Sequence, residues 1–494
     1  MVSEETITIS KAKYERLLSL EATNTALQSE IEYLKHQLSE LKRMIFGSKR
    51  ERFIPGDTGQ GVLFDLDEAK EERAKKEEIT YTREKSKNKK QPLRLELPAH
   101  LPRHEEVLEP MDLPEGAKRI GEVITEILDY TPADLHVRRI IRPKYIISSN
   151  DEKTEISIAE LPVLPIPKGN AGAGLLSHIL ISKYVDHLPF YRQVQMFRRQ
   201  KVNIAESTIN GWFNATCRLL EPLYETLKKR LLTSDYLMAD ETPIPVLTKD
   251  KPGSTHKGYH WVYYDPVDKL VLFDYRKSRS REGPEDMLKE FSGYLQTDGY
   301  VAYTNLKNKE KITLLACMAH ARRKFEHARE NDPERSEEAL RMFGQLYDVE
   351  REAREKEYDT QQIKKLREEK SVPVLKDMKQ WLKEKVQTVL PKSALGMAIA
   401  YTLSLWPRLV RYTEEGRFRI DNNLIENSIR PVALGRKNYL FAGSHQAAQH
   451  AALIYSLLAT CKINDVEPFQ WLKNTLEVIP NYPANQLENL LPVK

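Results

Sequence analysis

Tyr294-Leu295-Gln296-Thr297-Asp298-Gly299-Tyr300 reads as a short strand that ends on a carboxylate and then a turn. Tyr236-Leu237-Met238-Ala239-Asp240 is its counterpart upstream, a second apolar run closed by an acid. A carboxylate at the end of a buried strand is costly unless something cationic neutralises it. A third acid, Glu426, lies in Asp421-Asn422-Asn423-Leu424-Ile425-Glu426-Asn427-Ser428-Ile429-Arg430-Pro431. Asn423, Glu426, Asn427 and Arg430 recur there at i, i+3, i+4 and i+7, so they share one helix face. Three carboxylates converging from two neighbouring strands and a helix make an oxygen-lined site for Mg²⁺ or Mn²⁺. Two such ions, roughly 3.5–4 Å apart, are the usual device for in-line displacement at a phosphodiester. Any one of these acids alone reads as a turn or helix-cap residue.

The sequence between the acids sets the fold class, which is α/β. Strands are expected at 236–240, 259–264 and 270–275, a helix at 284–291, a strand at 294–298 and another over 314–318. Three strands followed by α-β-α-β alternation is the order of a ribonuclease-H-like sheet. In that sheet the first and fourth strands lie side by side, which would bring Asp240 and Asp298 together. Pro243 and Pro245 suit a strand edge or end rather than a central ladder. Charged helical sequence over about 330–395 reads as an α-helical insertion before the last carboxylate helix. The catalytic domain is therefore expected over 236–445, with a C-terminal helical region over 446–494.

Upstream, Leu17, Leu20, Asn24, Leu27, Ile31, Leu34, Leu38, Leu41 and Ile45 alternate spacings of three and four. Leu at every d position with a single Asn at a is the pattern of a parallel two-stranded coiled coil, expected here over 11–46. Residues 47–91 turn to Gly, Asp, Glu and Lys with few apolar anchors and read as a flexible linker. Residues 93–168 carry β-like runs and form a small β module. In 175–235, a helix over Leu188–Arg199, a turn at Lys201–Ile204 and a helix near Ser207 suggest a helix-turn-helix of two short helices. An ordinary helical bundle accounts for the same pattern.

The chain has 494 residues, enough for roughly three domains, with 30% charged residues and a formal net charge of +5. Local clusters say more than the sum. Arg138, Arg139 and Lys144 on one β run, and Arg322 and Arg323 after another, are candidate phosphate contacts. Ser207 and Asn210 would open the second helix of the pair. Arg436 and Lys437 follow a glycine and suit either DNA phosphates or a solvated turn. His320 suits a substrate phosphate or a capping role, and Asn423 suits DNA or the orientation of Glu426. The N-terminus lacks a signal-peptide layout, no stretch approaches a membrane span, and Cys217, Cys317 and Cys461 form no CxxC pair. These features fit a reducing compartment, the cytoplasm.

At this point the residues resemble a known family. Ala239-Asp240-Glu241-Thr242-Pro243, Gln296-Thr297-Asp298-Gly299-Tyr300, Ala319-His320-Ala321-Arg322-Arg323-Lys324-Phe325, Asp421-Asn422-Asn423 with Glu426, and Gly435-Arg436-Lys437-Asn438-Tyr439-Leu440-Phe441-Ala442-Gly443-Ser444 are similar, in order, to motifs of insertion sequence 66 transposases. The resemblance implies that Asp240, Asp298 and Glu426 are a catalytic DDE triad holding two Mg²⁺ or Mn²⁺ ions. It also implies double-stranded DNA as partner, at the element's terminal repeats and at the target. A homodimer or higher oligomer and accessory proteins of the same element fit that picture; a membrane does not. The family commonly carries a zinc-ribbon-like module near 110–150. Here 111–115 and 147–151 hold no cysteine, so a structural zinc, which needs four soft ligands, is not expected. Two other classes fit parts of the pattern: a domesticated DNA-binding protein that no longer cuts, and a carboxylate-pair hydrolase of another ester or glycoside.

Overall fold

Strand β1 (Arg103–Val107), β2 (Lys118–Thr131), β3 (Asp134–Ser149) and β4 (Lys153–Ile158) form a four-stranded sheet. The computed structural model describes residues 97–110, 117–131, 134–149, 153–248, 254–304, 306 and 310–493. The expected coiled coil, with Leu20, Asn24, Leu27, Ile31, Leu34, Leu38 and Leu41 on its seam, and the expected linker lie outside these residues. Strand β3 is the spine of the sheet. It pairs antiparallel with β2 along one side; β1, parallel, and β4, antiparallel, share the other. Ile127, Ile140 and Leu164 make its small core.

Three helices follow: α1 (Ala173–Tyr184), α2 (Phe190–Arg199) and α3 (Glu206–Leu232). Pro189 caps α2, where a missing N–H costs nothing. The short second helix expected near Ser207 is instead 27 residues long. The reason lies in its apolar stripe. Ile209, Trp212, Phe213, Cys217, Leu220, Leu223, Leu227 and Leu231 recur at spacings of three and four and are all buried, so packing carries the helix through Pro222. At its start Ser207 and Asn210 stay exposed, while Ile209 between them is buried.

The second sheet has five strands: β5 (Tyr236–Leu247), β6 (Thr255–Asp265), β7 (Leu270–Arg276), β8 (Gly293–Thr297) and β9 (Ile312–Ala316). Their order across the sheet is β7-β6-β5-β8-β9. The first three form an antiparallel meander, and β8 and β9 continue parallel to β5. The first and fourth strands are thus neighbours, through Tyr236↔Tyr294, Leu237↔Leu295 and Met238↔Gln296. Tyr236 to Ala239 are fully buried, as expected of a strand covered on both faces. Each such large apolar side chain contributes roughly 1.5–3 kcal/mol.

Strand β5 does not stop at Asp240, where the apolar run ends; it continues to Leu247. Beyond Met238 it has lost β8 and pairs only with β6. That one-sided stretch is where Pro243 and Pro245, which cannot donate to a ladder, are tolerated. Farther along, Ala442 bridges Val246 from the open side.

The remaining described elements are helical, apart from the strands already given. Helices α4 (Glu282–Met287), α5 (Val301–Thr304) and α6 (Met318–Ala328) connect the second sheet's strands or follow its last. A run of α7 (Pro333–Glu355), α8 (Thr360–Leu366), α9 (Val372–Lys385) and α10 (Ala394–Leu409) separates the sheet from α11 (Asn423–Tyr439). Then come α12 (His445–Ile463), which packs on β7, and α13 (Pro468–Val478). Ser456 and Thr460 of α12 bond the backbone of Phe273 and Val271.

Candidate active site

Asp240 lies on β5 just past its last pairing with β8, and Asp298 is the first residue after β8. Parallel pairing of the two strands therefore delivers both acids to the same end of the sheet. Asp298 is fixed by a tight turn. Its carboxylate accepts from the Tyr300 N–H at 2.7 Å, and its carbonyl accepts from the Tyr401 hydroxyl at 2.7 Å. Gly299 makes the turn with φ +92°, and a Cβ there would stand 2.7 Å from Leu405 Cδ1. The positive φ is what favours glycine here, and Leu405 Cδ1, a side-chain tip, is the atom that would have to give way.

Glu426 arrives by a different route. The Met318 N–H donates to the carbonyl of Ile420 at 3.0 Å, and the Asn422 N–H donates to Cys317 Sγ at 3.3 Å. These bonds stitch the segment before α11 to the end of β9. Deeper down, Gln296 donates to the Arg419 carbonyl at 2.9 Å, and Tyr236 Oη accepts from the Arg419 N–H at 3.0 Å. Tyr236 also donates to Gln296. One buried network thus ties β5, β8 and the approach to α11 together.

The electrostatics follow from this convergence. Burial pushes the Asp240 carboxyl well above the usual range, and Glu241, Asp298 and Glu426 add to it. One Asp240 oxygen accepts from the Glu241 N–H at 2.8 Å. Glu241 itself is paired with Arg279, whose guanidinium lies 4.0 Å from the Tyr300 ring centroid. Glu426 Oε1 is buried without a hydrogen-bond partner. His320 Nε2 stands 3.9 Å from Oε1 and the Arg323 guanidinium 3.8 Å from Oε2, both beyond hydrogen-bonding distance.

Asp421, five residues earlier, is different. It is buried, and its oxygens accept from Tyr347 Oη at 3.0 Å and from the Asn423 N–H and Nδ2 at 3.1 and 2.8 Å. Burial holds its carboxyl up, and these bonds pull it back. It is a satisfied structural acid at the start of α11.

Asp240, Asp298 and Glu426 are all-oxygen donors, and the Asp240 carboxyl is pushed up first by desolvation and then by its acidic neighbours. That donor set fits a hard divalent cation. The three are within electrostatic reach but not drawn into one shell. Among the described residues, no group of three or more His, Cys, Asp or Glu is close enough to enclose a metal ion.

Other expected contact residues are scattered. Arg138 pairs with Glu106 at 2.8 Å, and Arg139 with Glu105 and Glu126 at 3.2 Å, so both are engaged inside the β module. Lys144 is half-buried on β3. Arg322 pairs with Glu326 at 3.0 Å. Asn210 caps back onto the Glu206 carbonyl. Arg436 and Lys437 are not on a turn after a glycine; they form the last turn of α11, where Arg436 donates to the Pro243 carbonyl. Gln296 and Arg419 went unread in the sequence, although a lone Gln inside an apolar strand run signals a buried polar partner. No helix among the described residues is long and apolar enough to cross a membrane.

An α/β sheet with acids delivered by its first and fourth strands and by a following helix suits a transposase-type nucleic-acid enzyme. Residues 168–450 match the family described as Transposase IS66 family, and 456–493 match the IS66 C-terminal element. Residues 33–105 match a region described as Transposase C of IS166 homeodomain. The chain belongs to the IS66 family of transposases. Among curated proteins it is similar to three uncharacterized proteins of Sinorhizobium fredii. It is 34% identical to y4jD over 80% of this chain and 81% of that protein, and 32% identical to y4qI over 96% and 90%. Identity to y4hP is 28%, over 83% and 78%. No solved structure matches.

Proposed function

We propose that the chain cleaves and joins DNA strands at the ends of a bacterial insertion sequence, with Asp240, Asp298 and Glu426 as the catalytic set on a ribonuclease-H-like sheet. The observation that carries this reading is the pairing of β5 with β8, which sets Asp240 and Asp298 at one sheet end within electrostatic reach of Glu426. Asp240 and Asp298 each spend one oxygen on a backbone N–H and keep the other for a ligand. When bound there, Mg²⁺ or Mn²⁺ activates the attacking water or 3′-hydroxyl and stabilises the leaving 3′-oxygen. Arg323 orients Glu426 electrostatically and adds positive charge beside the scissile phosphate, and His320 flanks Glu426 Oε1. Arg279 offsets Glu241, so that acid stands outside the ligand set. End recognition falls to the region upstream of the second sheet, including the exposed Ser207 and Asn210 at the start of α3 and the homeodomain-type match over 33–105. A paired N-terminal coil suits a reaction that holds two DNA ends.

A DNA-binding protein that no longer cuts is the second reading. In its favour, the three carboxylates do not form a closed cluster. A plasmid carrying the element's ends separates the two. Mg²⁺-dependent nicking by the purified full chain supports the transposase; binding without nicking in Mg²⁺ or Mn²⁺ supports the alternative.

A further inference from the structure

Three residues past Asp240, the one-sided part of β5 borders a cleft of ≈ 300 Å³ lined by Pro243, Pro245, Thr255, Lys257 and Arg436. Lys257 sits opposite Pro245 in the β5–β6 ladder, and Thr255 lies two residues from it, so both side chains share the cleft's face. No lining residue is acidic.

Arg436 is the unusual member. It is half-buried, donates to the Pro243 carbonyl, and has no carboxylate partner. Burial without an acid pulls its guanidinium down from its ordinary value. Beneath it His260 is wholly buried, with neither ring nitrogen bonded. A partly desolvated guanidinium with no carboxylate partner is costly, and Lys257, its ammonium 6.0 Å from the Tyr259 ring centroid, adds a second cation at the rim. A fork of donors beside an ammonium and a hydroxyl suits an anion with several acceptor oxygens.

We propose that this cleft seats one backbone phosphate of the DNA, a few nucleotides from the phosphodiester at the carboxylates. The inference rests on the nucleic-acid reading above. The spacing excludes the scissile phosphate itself. Pro243 is three residues from Asp240, or about 10 Å along a strand. Arg436 is ten residues from Glu426 on one helix, or about 15 Å. With a rise of about 3.4 Å per nucleotide on one strand, the cleft meets the backbone beyond the reacting link. It would fix the register of the strand against the carboxylates without reading its sequence.

The test is the salt dependence of binding of the full chain to a duplex of arbitrary sequence. Loss of one phosphate contact lowers the slope of log affinity against log salt by about 1. Lys257→Gln changes only an exposed side chain and should show that loss, so that the affinity lost between 50 and 200 mM salt becomes about fourfold smaller. Arg436→Gln should do the same, with its melting curve confirming a folded protein. Lys379→Gln, on an exposed position of α9, is the control for net charge. An unchanged slope in Lys257→Gln, or an equal fall in Lys379→Gln, overturns the site. If the wild-type chain binds no duplex at all, the nucleic-acid reading falls first and the phosphate with it.

Discussion

The side-chain amide of Gln296 donates to the backbone carbonyl of Arg419 at 2.9 Å, across 123 residues of sequence. With Tyr236 bonded to both partners, this contact sets where the approach to α11 meets the sheet. The spacing of Glu426 from the two aspartates depends on it.

Gln296→Leu keeps the volume but removes the partner of the part-buried Arg419 carbonyl and the acceptor of the buried Tyr236 hydroxyl. An unsatisfied buried acceptor costs about 1–3 kcal/mol. The urea midpoint should fall accordingly, and DNA cleavage should fall further than stability alone explains. A variant with wild-type midpoint and activity would show that α11 is positioned by something else.

His260 gives a pH dependence. Burial pulls its imidazole down to about 3, with the Arg436 charge adding to this. The folded chain therefore holds it neutral, while the unfolded chain binds a proton below about 6.5. Its contribution is fully present above the unfolded value and is lost as pH falls from there toward about 3, by up to about 1.4 kcal/mol per pH unit. His260→Phe should flatten the melting curve between pH 6.5 and pH 4. Parallel curves for the two proteins would contradict this.

Gly299→Ala places a Cβ against Leu405 and asks alanine for φ +92°. The cost is about 1–3 kcal/mol of backbone strain, and it falls on the turn that holds Asp298. Thermal melting should drop, with Asp298-dependent cleavage dropping in parallel. Retention of both would mean that the turn relaxes freely.

Much of this geometry is legible in the sequence, because buried strands end where their apolar runs meet an acid. Tyr294–Thr297 is such a case. Asp240 is the exception, because β5 runs on past it once β8 stops pairing and only β6 remains. The length of α3 was hidden by Asn210, Gly211 and Pro222, which punctuate the sequence but are overridden by a continuous buried stripe. Arg436 looked like a loop cation, since no local pattern reveals that its helix end packs on β5. The Gln296–Arg419 contact is long-range, and no periodicity encodes it.

The N-terminal seam yields a prediction of its own. Replacing Leu27 and Leu34 with polar residues should convert dimers to monomers in sedimentation, since both fill d positions of the expected coil. A chain that stays dimeric would place the dominant interface elsewhere.

Asp421 and Glu241 provide the contrast for Glu426 as the proposed third ligand. Asp421 already has its oxygens bonded to Tyr347 and Asn423, and Glu241 is paired with Arg279. Asp421→Ala and Glu241→Ala should each retain measurable cleavage, with Asp421→Ala less stable. A dead Asp421→Ala beside an active Glu426→Ala would exchange their roles.

The most direct measurement compares strand cleavage and DNA affinity in Asp240→Ala, Asp298→Ala and Glu426→Ala, using a duplex that carries the element's end and Mg²⁺. Metal coordination at such a site needs all three acids, whereas DNA affinity comes mainly from phosphate contacts elsewhere. Each variant should lose cleavage and keep near-wild-type affinity, and even Glu426→Asp should be severely impaired, since a ligand must sit within about 0.5 Å of its place. Full cleavage by any one of the three alanine variants would contradict the assignment.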